Sequence, residues 1–166
     1  MPTLRRATLD DAALITAHRH SMFADNRFAT EDRLTQMDAA FETWLRAHLA
    51  DNTYVGLLLE QDGHIVAGAG IFFQDFPPHW MHIEPTRAYL LNFYTAPEAR
   101  GQGHAKTLLR ASVEACRTRG IAVVTLHASP YGRPIYKNFG FKESTEMMLR
   151  LEPEDQARQH PTSTIV

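Results

Sequence analysis

The chain has 166 residues, 44% of them hydrophobic and 22% charged, a composition typical of a single globular domain. A net charge of -2 favours neither nucleic acid nor an anionic membrane as partner. The single cysteine excludes an internal disulfide, and no run approaches the roughly 20 apolar residues of a membrane span or resembles a signal peptide. We therefore expect a cytoplasmic protein. The nine histidines are not spaced as metal ligands, so we expect no metal site.

The first 50 residues predict one strand and two helices. A short strand over residues 3–8 precedes a helix that Thr8 or Asp10 can cap. Apolar residues at helical spacing then predict a second helix over residues 34–50.

The next segment predicts a hairpin followed by an aromatic loop. Strands over residues 53–60 and 65–73 are joined by an Asp-Gly turn. The loop over residues 74–86 carries Phe76 and Trp80, which are costly to expose without a use. These rings either line a substrate cleft or pack against another subunit.

The second half of the chain alternates strands with helices. The apolar run over residues 88–95 predicts a buried strand, which Pro97 ends. Further elements follow a glycine-rich turn: a helix to about Arg119, a buried strand over residues 121–127, a short helix ended by Gly140, and a last strand over residues 141–151. This order indicates an α/β (α+β) fold with a mixed sheet and helices on both faces. Residues 1–151 are expected to form one domain, and residues 152–166 a flexible tail.

The glycine-rich turn predicts a site for a phosphorylated cofactor. Gly101 and Gly103 lack side chains, so a pyrophosphate can approach the backbone closely. The first N–H groups of the following helix have no intrahelical partner, and Arg100 and Lys106 add positive charge. The spacing is neither that of a P-loop nor that of a dinucleotide-binding fingerprint.

This turn resembles a signature of the GNAT superfamily of N-acetyltransferases. The pattern Arg100-x-x-Gly103-x-Ala105 is similar to the family's Arg/Gln-x-x-Gly-x-Gly/Ala motif, which binds the pyrophosphate of acetyl-CoA. The resemblance covers roughly residues 50 to 150. It implies a mostly antiparallel central sheet of about six to seven strands.

A second motif resembles the family's fourth helix. It reads Ser129-x-x-Gly132-x-x-x-Tyr136-x-x-x-Gly140-Phe141. The chain departs from the family at Ser129, where asparagine is usual, and at Gly132, where alanine is usual. In the family the tyrosine lies near the cofactor sulfur and often acts as general acid, a role that the resemblance carries onto Tyr136. A phenol can protonate a departing thiolate of similar basicity.

The resemblance also implies how the cofactor is held. The backbone N–H of Phe93 would bind the thioester carbonyl and stabilise the developing oxyanion, and Thr95 would pair with the pantetheine like an added strand. The full set of expected cofactor contacts is Phe93, Tyr94, Thr95, Arg100, Gly101, Gln102, Gly103, His104, Ala105, Lys106, Ser129, Gly132 and Tyr136.

The function implied is transfer of an acetyl group from acetyl-CoA to a primary amine of a small acceptor by direct attack. The alternatives are a non-catalytic acyl-CoA-binding regulatory module and transfer of a longer acyl group. The sequence leaves the general base open among Glu84, Asp75, His79, His82, Asn92 through a water, and His127. Acceptor contacts are expected from His18, His20, Asp25, Asn26, Arg27, Phe76, Trp80, Asn92 and His127. A homodimer is possible.

Overall fold

A computed structural model of the protein describes residues 2–151. Its helices and strands follow one another as β1 (Thr3–Arg6), α1 (Ala12–Asp25), α2 (Glu31–Ala50), β2 (Tyr54–Gln61), β3 (His64–Asp75), β4 (Thr86–Thr95), α3 (His104–Thr118), β5 (Val124–Leu126) and α4 (Arg133–Phe139). Short 3-10 turns lie before α1 and after β4.

The five strands form one sheet in the order β1-β2-β3-β4-β5. Neighbouring strands are antiparallel except for β4 and β5, which are parallel. This confirms the mixed, mostly antiparallel sheet. The Asp-Gly turn between β2 and β3 is also confirmed, with Asp62 and Gly63 at φ of 53° and 77°, as a type I′ turn requires.

The prediction of six to seven strands is wrong, and so is the prediction of a strand over residues 141–151. Beyond Phe141 the described chain has no regular secondary structure, and Met147, Met148, Leu149 and Leu151 are 94, 68, 82 and 87% exposed. An alternating apolar pattern gives a strand its propensity, but a strand forms only where a partner edge takes its hydrogen bonds. The fifth strand is also shorter and less buried than the sequence predicts.

Helices lie on both faces of the sheet, as expected. On one face, α1 and α2 pack with a core that contains Ile15, Phe41, Leu45 and Tyr54. On the other face, α3 contributes Leu108, Leu109 and Cys116 to a core built on β2, β3 and β4. Cys116 is fully buried, which confirms its core position.

The segment from β1 to α1 is fixed by one ion pair. The guanidinium of Arg5 donates to both carboxylate oxygens of Asp11, at 2.9 and 2.8 Å, and Asp11 also accepts from the backbone N–H of Thr8 at 2.8 Å. The first strand is therefore joined to the start of α1.

The expected tail over residues 152–166 lies outside the described residues. Within residues 2–151, no helix is long and apolar enough to cross a membrane. The same residues contain no group of three or more His, Cys, Asp or Glu placed to hold a metal ion.

Candidate active site

A β-bulge interrupts β4 in the middle of the predicted motif region. In the register with β3, Gly68 lies opposite Tyr94 and Gly70 lies opposite Leu91, so Asn92 and Phe93 together face a single β3 residue. Asn92 adopts a left-handed φ of 57°, which asparagine tolerates better than most residues. The bulge changes the direction of the strand just before Phe93.

The bulge is held from the α1 and α2 side of the sheet. Asn92 is 4% exposed, and its amide nitrogen donates to the hydroxyl of Tyr54 at 3.0 Å. The amide oxygen of Asn92 accepts from Arg19 at 2.7 Å. A buried amide with both its oxygen and its nitrogen bonded has a fixed orientation, so the bulge is a defined feature.

The outer edge of β4 is free from the bulge onward. The parallel ladder with β5 covers only the first half of β4, pairing Ala88 to Leu90 with Val124 to Leu126. Beyond Leu90, β4 has a strand partner only on its β3 side. The free edge leads directly toward the glycine-rich turn, so an extended ligand can pair with this edge.

The glycine-rich turn has the conformation of an anion site. Gly101 and Gly103 have φ of 79° and 85°, a region that side-chain-bearing residues rarely adopt, and α3 begins at the next residue, His104. No atom lies within 4 Å of the position that a Cβ would take on either glycine, so the backbone is open to a ligand. The side chain of His104 is buried, which leaves its backbone as the part available to an anion.

The cations at the turn differ in their surroundings. Arg100 donates from Nε to the carbonyl oxygen of Thr95 at 3.1 Å and forms an ion pair with Asp25. Lys106 is exposed on the first turn of α3. The end of β4, the turn and the end of α1 are thus joined through Arg100.

Tyr136 lies on α4, opposite the free edge of β4. Its ring packs edge-on against the ring of Phe93, with centroids 5.9 Å apart. Burial, assisted by the nearby Tyr89, raises the pKa of Tyr136 to about 12, so the phenol stays protonated at neutral pH. The two residues assigned to catalysis by resemblance are therefore in contact, although 43 positions separate them in the chain.

The departures from the family motif have a local explanation. A Cβ on Gly132 would lie 3.1 Å from Cε2 of Tyr136, so glycine leaves room for the tyrosine ring. The hydroxyl of Ser129 accepts from the backbone N–H of Gly132 at 3.1 Å and so satisfies a backbone donor at the start of α4.

Two residues that the sequence analysis missed complete the cleft. Tyr89 shares a hydrogen bond with Nδ1 of His127 at 2.6 Å, and burial raises the pKa of Tyr89. Arg19 lies on α1 and reaches Asn92. Arg19 had a detectable signal, because it is a charged residue four positions after the buried Ile15 and so lies on the apolar stripe of α1. Tyr89 had no such signal in the sequence, since it is one more aromatic residue of a predicted buried strand.

The structure separates the predicted acceptor residues into two groups. Asn92 and His127 lie at the cleft through the contacts described above. Asp25 is engaged by Arg100, and Arg27 is exposed with a φ of 55°. Phe76 packs under the guanidinium of Arg87 at 3.5 Å, whereas Trp80 is largely exposed beside His79.

A bulged strand with a free edge, a glycine turn at a helix start, and a buried tyrosine facing that edge together indicate a protein that holds an extended phosphorylated ligand. The sequence profile of the acetyltransferase (GNAT) family matches residues 18–141. The chain belongs to this family, which uses acetyl-CoA as its acetyl donor.

Solved structures with the same fold cover nearly the whole chain. A GCN5-related N-acetyltransferase from Ralstonia eutropha JMP134 is 33% identical, covers 91% of this chain and 99% of its own, and has a TM-score of 0.87. A predicted acetyltransferase from Clostridium acetobutylicum, solved with acetyl-CoA, is 31% identical over 90% of this chain and 96% of its own, with a TM-score of 0.84.

Curated relatives match over shorter stretches. A putative ribosomal protein bS18-alanine N-acetyltransferase of Bacillus subtilis (strain 168) is 31% identical over 98 residues, which are 57% of this chain and 58% of that protein. The uncharacterized N-acetyltransferase YycN of the same organism is 33% identical over 78 residues, which are 43% of this chain and 50% of that protein. The matched part of the chain thus spans little more than half the length of these relatives.

Proposed function

We propose that this protein is an acetyl-CoA-dependent N-acetyltransferase that acts on a primary amine of a small acceptor by direct attack. The observation that carries the proposal is the contact between Phe93, at the bulge of β4, and Tyr136, on α4. The residue that carries a carbonyl-polarising backbone N–H and the residue that carries a proton donor then lie side by side where the edge of β4 is free for ligand pairing.

The chain offers a suitable group for each part of the donor. The open backbone at residues 101–106, with Arg100 and Lys106, would hold the pyrophosphate. The backbone of Tyr94 and Thr95, with Ser129 and Gly132 across the groove, would contact the pantetheine arm. When bound, acetyl-CoA supplies the activated acetyl group.

The catalytic roles follow from the chemistry of the two residues. The N–H of Phe93 would donate to the thioester oxygen and stabilise the charge that develops there as the amine attacks. Tyr136 would give its proton to the departing sulfur, and its raised pKa of about 12 keeps that proton available throughout the neutral range.

His127 is the proton acceptor that the geometry favours among the candidate bases. When Nδ1–H of His127 donates to the oxygen of Tyr89, Nε2 is left free to take the proton of the attacking amine. Tyr89 also contributes, after burial, to the raised pKa of Tyr136, which is consistent with His127, Tyr89 and Tyr136 acting in one cleft.

We also propose that two copies of the chain form a dimer. The apolar segment over residues 147–151 is exposed, and β5 has a sheet neighbour on one side only. An unpaired apolar segment and an unpaired strand edge are complementary, so two copies can place these segments against each other's β5. The cytoplasmic location remains a prediction from cysteine usage.

The proposal is tested by thermal shift with acetyl-CoA, CoA and NAD, followed by thiol release with a panel of amines. Binding to the folded state raises the melting temperature by mass action, so a rise with both CoA species and none with NAD is expected. The panel includes small amines and a peptide beginning with alanine, because one Bacillus subtilis relative is named as an alanine N-acetyltransferase of ribosomal protein bS18. No rise with either CoA species overturns the proposal, and binding without thiol release for any amine favours the non-catalytic module. Comparing acyl donors at saturation tests the longer acyl group.

A further inference from the structure

Arg19 is a partly buried cation held at the bulge of β4. One terminal nitrogen of its guanidinium donates to the amide oxygen of Asn92 at 2.7 Å. Its guanidinium carbon lies 4.8 Å from the ring centroid of Phe23 and 4.6 Å from that of Phe41. Two aromatic faces and one hydrogen bond therefore fix the planar group in place.

This cation has no anionic partner among residues 2–151. Arg19 makes no ion pair there, and its Nε is buried without a hydrogen-bond partner. Its one hydrogen-bond acceptor, Asn92, is a neutral amide. The carboxylate of Asp38 acts on the pKa of Arg19 through its charge but forms no ion pair with it, and it already accepts from His20 at 2.7 Å. Burial consequently lowers the pKa of Arg19.

A partly buried charge whose Nε is buried without a partner costs free energy on folding. Folding alone would favour an apolar side chain between Phe23 and Phe41. The unused donors of Arg19 and its fixed fork are suited to a planar anion that arrives with a ligand.

Arg19 is also linked through Asn92 to the bulge of β4, beside the proposed catalytic cleft. It is close enough to Tyr89 to oppose the rise in the pKa of that residue, and Tyr89 carries the hydrogen bond to His127. Its other partner, Asn92, immediately precedes Phe93 in the bulge. An anion bound at Arg19 would therefore lie beside the groups that receive the amine and the acetyl group.

We propose that Arg19 binds a carboxylate of the acceptor, so that the acceptor is an amino acid or another small amine with a carboxylate near its amino group. This inference rests on the proposed acetyltransferase function. A singly charged planar carboxylate fits the site better than a phosphate, because it matches the guanidinium fork and is less costly to desolvate among phenylalanine rings.

The test compares amino acids with the corresponding carboxamides as acceptors. The two compounds of each pair differ in the charge of the carboxyl-derived group. Wild-type kcat/KM should favour the carboxylate by roughly 10- to 100-fold, the range of a charge-assisted hydrogen-bonded pair. Arg19→Met should remove this preference while leaving the thermal shift with acetyl-CoA in place. Arg119→Met is the matched control. The guanidinium carbon of Arg119 also lies over a phenylalanine ring, 4.1 Å from the centroid of Phe73, but Arg119 is at the C-terminal end of α3, away from the glycine-rich turn. This control variant should keep the preference.

Asn92→Asp gives a second variant that leaves no cavity. A carboxylate at position 92 would form an ion pair with Arg19. The preference for charged acceptors should therefore fall although the arginine remains. This variant keeps the test decisive if Arg19→Met does not fold.

Equal turnover of acids and amides by the wild type overturns the inference, as does a preference that survives both Arg19→Met and Asn92→Asp. In either case the measured turnover still supports the acetyltransferase function.

If acetyl-CoA binds but no acceptor reacts, the same acids and amides are added to the complex with CoA in a thermal-shift experiment. Stabilisation by acids alone, lost in Arg19→Met, supports the inference, and its absence overturns it. Acetylation of only the alanine peptide also overturns it.

Discussion

Tyr136 is the residue whose chemistry is most directly testable. Tyr136→Phe keeps the ring that packs on Phe93 but removes the hydroxyl, so we expect kcat to fall by about 10²- to 10⁴-fold, the usual contribution of a general acid. The thermal shift with acetyl-CoA should persist, because the backbone of the glycine turn is untouched. Steady-state thiol release across pH measures the effect.

The pKa of Tyr136 sets the pH behaviour of this test. Since that pKa is about 12, the wild type should retain its acid on the alkaline side well past neutrality. A Tyr136→Phe enzyme with unchanged kcat at every pH would show that another group protonates the thiolate.

The glycines of β3 determine whether the bulge can form. A Cβ on Gly70 would lie 2.8 Å from Cε2 of Tyr54 and closer still to its hydroxyl. Tyr54 is fully buried and bonded to Asn92, so it cannot move aside without disturbing the bulge. We expect Gly70→Ala to lower the free energy of unfolding by about 1–3 kcal/mol and to weaken acetyl-CoA binding.

Gly68→Ala, in the same strand, provides the comparison for that prediction. Its Cβ would come no closer than 3.1 Å to Leu58 Cδ2 and 3.2 Å to His18 Nδ1, contacts that are less severe than those at Gly70, so a smaller loss is expected. Denaturant unfolding measures both variants. Equal losses in the two would mean that Tyr54 does not support the bulge.

The ion pair between β1 and α1 predicts a pH dependence of stability. Arg5 holds the pKa of Asp11 at about 2, below its usual 3.8, so folding is favoured by the ionised carboxylate. The stabilisation is complete above pH 4 and is lost as the pH falls from about 4 to about 2. Asp11→Asn should therefore lower the free energy of unfolding by about 1–2 kcal/mol at pH 7.

Urea titrations at pH 7 and near pH 2 check this prediction. The difference between the wild type and Asp11→Asn should vanish at the lower pH, whereas Asp10→Asn, an exposed neighbour, should change stability little at either pH. A difference that persists near pH 2 would assign the effect to packing instead of charge.

The dimer is a prediction about the whole molecule. The apolar segment beyond α4 is attached to that helix by Glu143, whose carboxylate pairs with Lys137 at 2.8 Å and Arg133 at 3.3 Å. Replacing Met147 and Leu149 together by Glu should give a monomer in sedimentation velocity, because charged side chains would have to be buried against β5 of the second copy.

Trp80→Glu tests the competing interface, since Trp80 is the exposed aromatic side chain of the loop between β3 and β4. If that variant is monomeric while the double variant is dimeric, the aromatic loop forms the contact, as one interpretation of the sequence allowed. A monomeric wild type would refute both interfaces.

The sequence by itself determined the elements whose signals are local. Gly101, Gly103 and the start of α3 are consecutive, and the backbone conformation they require depends on those residues alone. The spacing from Ser129 to Tyr136 likewise places the tyrosine one helical turn after the start of α4. These patterns were sufficient to predict the fold class and the family, whereas the roles of Phe93 and Tyr136 stay predictions.

The tertiary structure alone decided what depends on distant partners. Residues 147–151 have the composition of a strand but pair with no strand of the described chain, so the predicted last strand is absent. Tyr89 meets His127 across 38 positions, and Arg19 meets Asn92 across 73. A side chain's own sequence neighbourhood does not encode such contacts, because they depend on how the sheet pairs and where α1 packs against it. The proposed acceptor side of the cleft depends on these contacts, so it could not be built from the sequence.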